Sequence, residues 1–236
     1  NATGIELSAS NISADTTSGD LEIDNVLGTS VNVTSLTTGS GSIDFDQSGG
    51  GSLVTGILSA TNTIDVTNSA GDVSLAGTVA SSDLVVTSSG AVTDGADGDL
   101  AISGSAQLTG GSIELGNDAG NTTNFGSLTF NSIGSVTISE DSSLDLVGVN
   151  TAGSADLDST AAVSDAGATS VDITGLLDVS GTEITLGSGT FNAGTTTFNS
   201  AGLVTISEDS SLDLVGVNTA GSADLDSTAA VSDAGA

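Results

Sequence analysis

Lysine, arginine, histidine, cysteine, methionine, tryptophan, tyrosine and proline are all absent from the 236 residues, and each absence removes a chemistry. Without His or Cys there is no imidazole base, no thiolate nucleophile and no usual zinc ligand set. Without Lys or Arg there is no Schiff base, no phosphate clamp and no intramolecular salt bridge. The 30 acidic residues stand uncompensated at a formal charge of −30, so nucleic acid and anionic membrane surfaces are repelled. No apolar run nears the roughly 18 residues of a spanning helix, and membrane insertion is not expected. Zero cysteine suits either a reducing compartment or an exported protein that avoids disulfides. Acidity alone would suggest disorder, but 36% hydrophobic residues and a mean hydropathy of +0.25 are enough to bury a core.

Against these absences stands a duplication. Residues 136–168 read VTISEDSSLDLVGVNTAGSADLDSTAAVSDAGA, and residues 204–236 repeat them without a change, at an offset of 68. Upstream, LTFNS (Leu128 to Ser132) matches TTFNS (Thr196 to Ser200) at that offset, and GGSIELG (Gly110 to Gly116) matches GTEITLG (Gly181 to Gly187) at an offset of 71. The three-residue difference falls in the Gly/Asn/Thr-rich stretch after Gly116, which is expected to be an external turn. A fixed period of tens of residues marks a solenoid or an array. A catalytic site is needed once per chain, whereas a structural module gains reach by being copied. The first copy continues after Ala168 into TSVDITG, and the expectation is that these 236 residues are a segment of a longer protein.

Between the copies and before them a short grammar recurs: apolar, polar, apolar, bounded by Gly, Ser, Thr or Asn. It appears as GSIDFD (Gly41 to Asp46), NTIDVT (Asn62 to Thr67), GDVSLAG (Gly71 to Gly77), GDLAISG (Gly98 to Gly104), GSIELG (Gly111 to Gly116), SSLDLVG (Ser142 to Gly148) and SVDITG (Ser170 to Gly175). Alternation with period 2 predicts strands, here of three to five residues, with turns at the breaks. The fold class is all-β. Several strands within each 68-residue period suit coils of about 20–23 residues stacked as a parallel β-helix. Absence of proline fits central strands that need every N–H. Tandem β-sandwich domains of an adhesin are the alternative, although their repeats should run near 90–100 residues. Residues 1–100 read as diverged coils, 101–168 and 169–236 as two repeat units, all in one continuous solenoid.

Ile138, Leu146, Leu157, Ile173, Leu186, Ile206, Leu214 and Leu225 are predicted to point inward, and Glu6, Asp44, Asp65, Glu114, Asp145, Asp172 and Asp213 outward. The five phenylalanines, Phe45, Phe125, Phe130, Phe191 and Phe198, are expected in the core. Thr195, Thr196 and Thr197 read as surface strand threonines, since an ice-binding ladder would need the pattern on many coils.

The GSIxL, SLDLVG and GDLxI grammar resembles the repeat regions of filamentous haemagglutinin-type exoproteins and giant bacterial surface proteins. That resemblance covers nearly the whole chain and rests on the style of the repeat. It implies a parallel β-helix outside the cell or on its surface.

Carboxylates are the chain's only ionisable side chains. At about 22 residues and about 4.8 Å per coil, roughly eleven coils would space the 30 charges about 1.7 Å apart along an axis, near the axial charge density of duplex DNA. Hard oxygen ligands on a Gly-rich loop suit Ca²⁺, and the densest cluster is DGADGD, with Asp94, Asp97 and Asp99. Further pairs are Glu140 with Asp141, repeated as Glu208 with Asp209, and Asp156 with Asp158, repeated as Asp224 with Asp226. A solvated, repulsive coat is the plainer account of all of them. Glycosidase chemistry can run on two carboxyls, but such enzymes need a unique cleft and usually hold sugars with Arg, Lys, His or aromatic groups, of which only Phe is present, so no enzyme is expected. Sequons at Asn1, Asn11, Asn32 and Asn121 permit glycosylation. The functional expectation is a structural stalk, fibre or adhesin body, extracellular or at the cell surface. Its partners would be other copies of itself, joined end to end or laterally, and surface polysaccharide. The alternative is a calcium-dependent adhesin module binding carbohydrate or a surface.

Overall fold

A computed structural model of the chain describes residues 4–233, in two compact units, Asn1–Gly126 and Ser127–Ala236. Every helix or strand among the described residues is a β-strand, so no helix is long and apolar enough to cross a membrane. Pairing within each unit is parallel throughout, which excludes the antiparallel sandwich. Each unit is a β-solenoid.

In the first unit the chain passes repeatedly through three ladders. One joins Ile5–Leu7, Leu21–Asn25, Ile43–Gln47, Thr63–Asn68, Asp83–Ser88 and the second half of Leu100–Gly110. The other two run together in Asn11–Thr16, Val31–Thr38 and Leu53–Ser59, with a register shift between Ile12 and Ser13 marking the corner. They separate into Val73–Leu75 and Val79–Ser81 one coil later. In the second unit one ladder joins Ser135–Glu140, Ser154–Ser159 and the second half of Ser170–Gly181. A second joins Leu144–Leu146, Ala162–Asp165, Glu183–Leu186, Leu203–Glu208 and Ser222–Ser227. From a residue to its ladder partner the chain advances between 18 residues (Leu128 to Leu146) and 22 (Ile23 to Phe45), so the coils are close to the 20–23 expected and somewhat shorter in places.

Parallel register stacks like on like. Ile23, Phe45, Val66, Val86 and Leu108 form one inward file, and Leu36, Leu58, Val79 and Leu100 another; all are buried. All five phenylalanines are buried as expected. Six of the eight residues predicted inward are buried, while Leu214 and Leu225 are half-exposed; Leu225 lies in the last strand of its ladder among the described residues, and beyond Leu214 only the exposed strand Val231–Asp233 follows. The predicted outward residues are exposed or half-exposed. Asn117–Gly120, in the variable stretch after Gly116, is an exposed turn.

Two expectations are corrected. Strands reach 12 residues in Ser170–Gly181, beyond the three to five expected, because Thr174 and Gly175 let the chain turn a corner without leaving the ladder and the register shifts there. Thr196 is fully buried and not a surface threonine: it takes the inward place that Leu128 holds in the earlier copy, facing Leu214 as Leu128 faces Leu146.

Candidate functional site: carboxylates on the ladder faces

With no cation in the chain, outward carboxylates find other partners. Parallel stacking puts each beside a residue one coil away, and in many places that residue carries a hydroxyl. Thr37 donates to Asp15, Ser164 to Asp145 and Ser180 to Asp158. Ser105 donates to Asp83 through both its N–H (2.9 Å) and its hydroxyl (2.8 Å), and Thr122 does the same for Asp99 at 2.9 Å. These bonds hold the carboxyls of Asp83 and Asp99 below their ordinary value.

One face of the first unit breaks that pattern. Glu6 is in register with Asp24, and Asp24 with Asp46; beside them Glu22 is in register with Asp44, and Asp44 with Asp65. Two files of three carboxylates thus run side by side along the strands Ile5–Leu7, Leu21–Asn25, Ile43–Gln47 and Thr63–Asn68. Neighbouring parallel strands lie about 4.8 Å apart, and like charges at that separation oppose one another. Asp44, Asp46 and Asp65 are accordingly raised above the ordinary value, by burial first and by their carboxylate neighbours second. Thr67, which continues the first file, donates a hydrogen bond that partly offsets the rise at Asp46. An open groove of about 530 Å³ runs beside this file, lined by Glu6, Asp24, Val26, Asp46, Gln47, Ser48, Thr67 and Ser69. The second unit has a smaller counterpart. Asp156 is in register with Asp178, both raised by burial and by Asp158, next to a groove of about 440 Å³.

The residues singled out in the sequence are not gathered in this way. Asp94 is buried at the end of Ala91–Asp94 and accepts from the Gly116 N–H at 2.7 Å and Asn121 Nδ2 at 3.3 Å, while burial raises its pKa. Asp97 is exposed on the turn, and Asp99 is held by Thr122. Asp165 repeats the work of Asp94, accepting from the N–H groups of Gly187 and Ser188 at 3.0 Å. Glu208 and Asp209 act as a substitute for a strand: Ala193 N–H donates to Glu208 Oε1 at 2.8 Å and Phe191 N–H to Asp209 Oδ2 at 3.0 Å. Burial raises the Glu208 carboxyl. Glu140 is equally buried and accepts from the Ser142 hydroxyl, with Asp141 exposed beside it. Among the described residues no three acidic side chains converge on a position where they could hold a metal ion. Asn11 and Asn32 are exposed and in register, Asn121 is bonded to Asp94 and Gly95 O, and Asn1 lies outside the described residues.

An inward polar file went unnoticed in the sequence. Asn25, Gln47 and Asn68 stack in register and are buried. Asn25 Nδ2 donates to Gln47 Oε1 at 2.7 Å, Gln47 Nε2 to Leu27 O at 2.7 Å, and Asn68 Nδ2 to Asp72 O at 2.9 Å. These side chains satisfy turn carbonyls that leave the ladder. Their signal was available: each sits two residues after an inward apolar residue, in LEIDN, IDFDQ and IDVTN.

Set against protein-family models, curated proteins and solved structures, the chain finds no match in any of the three.

Proposed function

We propose that this chain is a structural segment of an extracellular or cell-surface repeat protein, forming part of a stalk, fibre or adhesin body. The observation that carries the reading is the in-register stack within each unit: coil after coil presents the same apolar inside and the same short polar outside, and one stretch is copied outright. A ladder of that kind resists extension through many parallel hydrogen bonds and gains stability with each coil. It is a non-catalytic role, since carboxylates are the only ionisable side chains and several of them, Asp83, Asp99, Glu208 and Asp209 among them, are engaged by hydroxyls or backbone N–H groups. The resemblance of the repeat grammar to filamentous haemagglutinin-type exoproteins belongs to the same reading, as do partners consisting of further copies and of surface polysaccharide. An antibody raised against the duplicated sequence of residues 136–168 tests it. Labelling of intact cells that make the protein supports the proposal; labelling that requires lysis overturns it.

The stacked carboxylates of the first unit favour a second reading, a calcium-dependent surface-binding module. Two facing carboxylates one coil apart offer hard oxygens to Ca²⁺. Melting in CaCl₂ and in NaCl at matched ionic strength separates the two: a rise specific to Ca²⁺ supports the module, and equal melting sets it aside.

A further inference from the structure

A strand inside a parallel stack is held by backbone bonds along both edges. Thr190–Ser200 has this on one side, where it runs in register with Ser170–Gly181 along nearly its whole length. Toward the following coil it is in register at two places among the described residues, Thr196 opposite Leu214 and Asn199 opposite Thr219. Side chains of that coil close the rest of the seam. Ala193 N–H donates to Glu208 Oε1 at 2.8 Å, Phe191 N–H to Asp209 Oδ2 at 3.0 Å, and Phe198 N–H to Asn218 Oδ1 at 2.9 Å. Asn150 takes the Phe130 N–H at 3.0 Å in the earlier copy, so the Asn closure recurs with the repeat.

Of the three acceptors in the later seam only Glu208 is buried, at 1% exposure. Its Oε1 also accepts from the Ser210 hydroxyl at 3.0 Å, while its Oε2 is buried with no hydrogen-bond partner. An ionised carboxylate in that position needs a donor or a cation at its second oxygen. The chain contains no cation, and its nearest charges are of the same sign: Asp209 on the turn and Asp213 on Leu212–Leu214. Ser227 of the next coil, in register with Glu208, is uncharged, and Asp224 and Asp226 on that strand are exposed. Burial raises the Glu208 carboxyl, the bonds from Ala193 and Ser210 draw it part of the way back, and Asp209 and Asp213 add to the rise.

We propose that Glu208 closes this seam as an uncharged carboxylic acid and that the seam loosens when the acid ionises, which makes it a pH-sensitive joint between two coils of the solenoid. The protonated group keeps Oε1 as the acceptor for Ala193 without leaving a buried charge. Stability of the joint is fully present below the ordinary 4.5 of a glutamate and is lost as pH rises through the raised value. The inference is independent of the fibre reading, since it concerns one junction between coils.

Two readouts on the whole chain test it. Glutamates carrying carbon-13 at the carboxyl give six resonances, and that of Glu208 is identified by its loss in Glu208→Gln or, should that variant not fold, in Glu208→Asp. It should titrate above the exposed Glu6, Glu22, Glu114 and Glu183. Opening at the Phe191 and Ala193 amides, followed by hydrogen exchange and corrected for the intrinsic rate, should increase across the same pH range, about tenfold for each unit by which Glu208 titrates above those glutamates. In Glu208→Gln, which carries a neutral side chain of the same shape, this increase should be absent. A Glu208 resonance that titrates with the exposed glutamates would overturn the proposal, as would opening at Ala193 that follows pH equally with and without the Glu208 carboxyl.

Discussion

Leu128 and Thr196 hold the same inward place in successive copies, and the Thr196 hydroxyl that stands where Leu128 has only carbon is buried with no hydrogen-bond partner for its oxygen. A buried unpaired polar atom costs about 1–3 kcal/mol, so Thr196→Val, which keeps the shape and removes the hydroxyl, should stabilise the protein by about 1 kcal/mol in urea unfolding. A loss of stability would mean that the hydroxyl is satisfied after all. Glycine makes the opposite case. Gly187 has φ +97° and a Cβ there would lie 2.1 Å from Ser207 O, whereas Gly120 has φ +102° with nothing within 4 Å. Both substitutions to Ala carry the left-handed cost of about 1–2 kcal/mol, but only Gly187→Ala must also push the neighbouring coil away. It should therefore be clearly the more destabilising of the two, and equal midpoints would contradict the close stacking at that corner.

Strands and faces explain what the sequence revealed and what it hid. Stretches such as GSIDFD, NTIDVT and SSLDLVG were readable because bulky β-branched and Leu residues alternate with polar ones, the signature of a half-buried strand. Asn11–Thr16 (NISADT) and Thr190–Ser200 (TFNAGTTTFNS) were not: one or two bulky apolar residues among small and polar ones carry little periodic contrast, and pairing with neighbouring coils decides their structure. The same limit hid the candidate site. DGADGD drew notice because its carboxylates are adjacent in sequence, yet the carboxylates that crowd each other are about one coil apart, as Glu22, Asp44 and Asp65 are. Such files become visible only once the register is known. They also set a pH dependence. Asp44, Asp46, Asp65, Asp94, Asp156, Asp178 and Glu208 all sit above their ordinary values, so the folded state takes up protons before the unfolded chain does. The destabilisation they bring is fully present at neutral pH and is relieved as pH falls through their raised values toward the ordinary 3.8 of an aspartate. Asp83 and Asp99 oppose this, since lowered carboxyls lose their stabilising bonds on protonation, but they are the minority. Thermal melting should rise on acidification from pH 7 toward that range. Asp44→Asn should stabilise at pH 7 by about 0.5 kcal/mol, the scale of a like-charge pair facing across strands, and flatten the pH response. Melting that falls steadily from pH 7 downward would contradict the account of this face.

For the molecule as a whole, the absence of cations becomes intelligible through the coil. A globular fold with this charge would have to keep carboxylates apart at random positions, whereas parallel stacking fixes each one opposite a known residue, commonly Ser or Thr. Hydroxyls and backbone N–H groups then do what Lys and Arg do elsewhere, and no trypsin-type cleavage site is left in the chain. All of this depends on the register of successive coils, which a chain free of cysteine allows to be measured cleanly. Glu22, Asp44, Asp65, Val85 and Gln107 form one file of the first unit, each in register with the next. Spin labels on Glu22→Cys with Val85→Cys, and on Glu22→Cys with Gln107→Cys, should report backbone separations of about 14 Å and about 19 Å, three and four steps of about 4.8 Å. Separations that fail to grow by one equal step per coil would contradict the parallel stack on which the rest of the account stands.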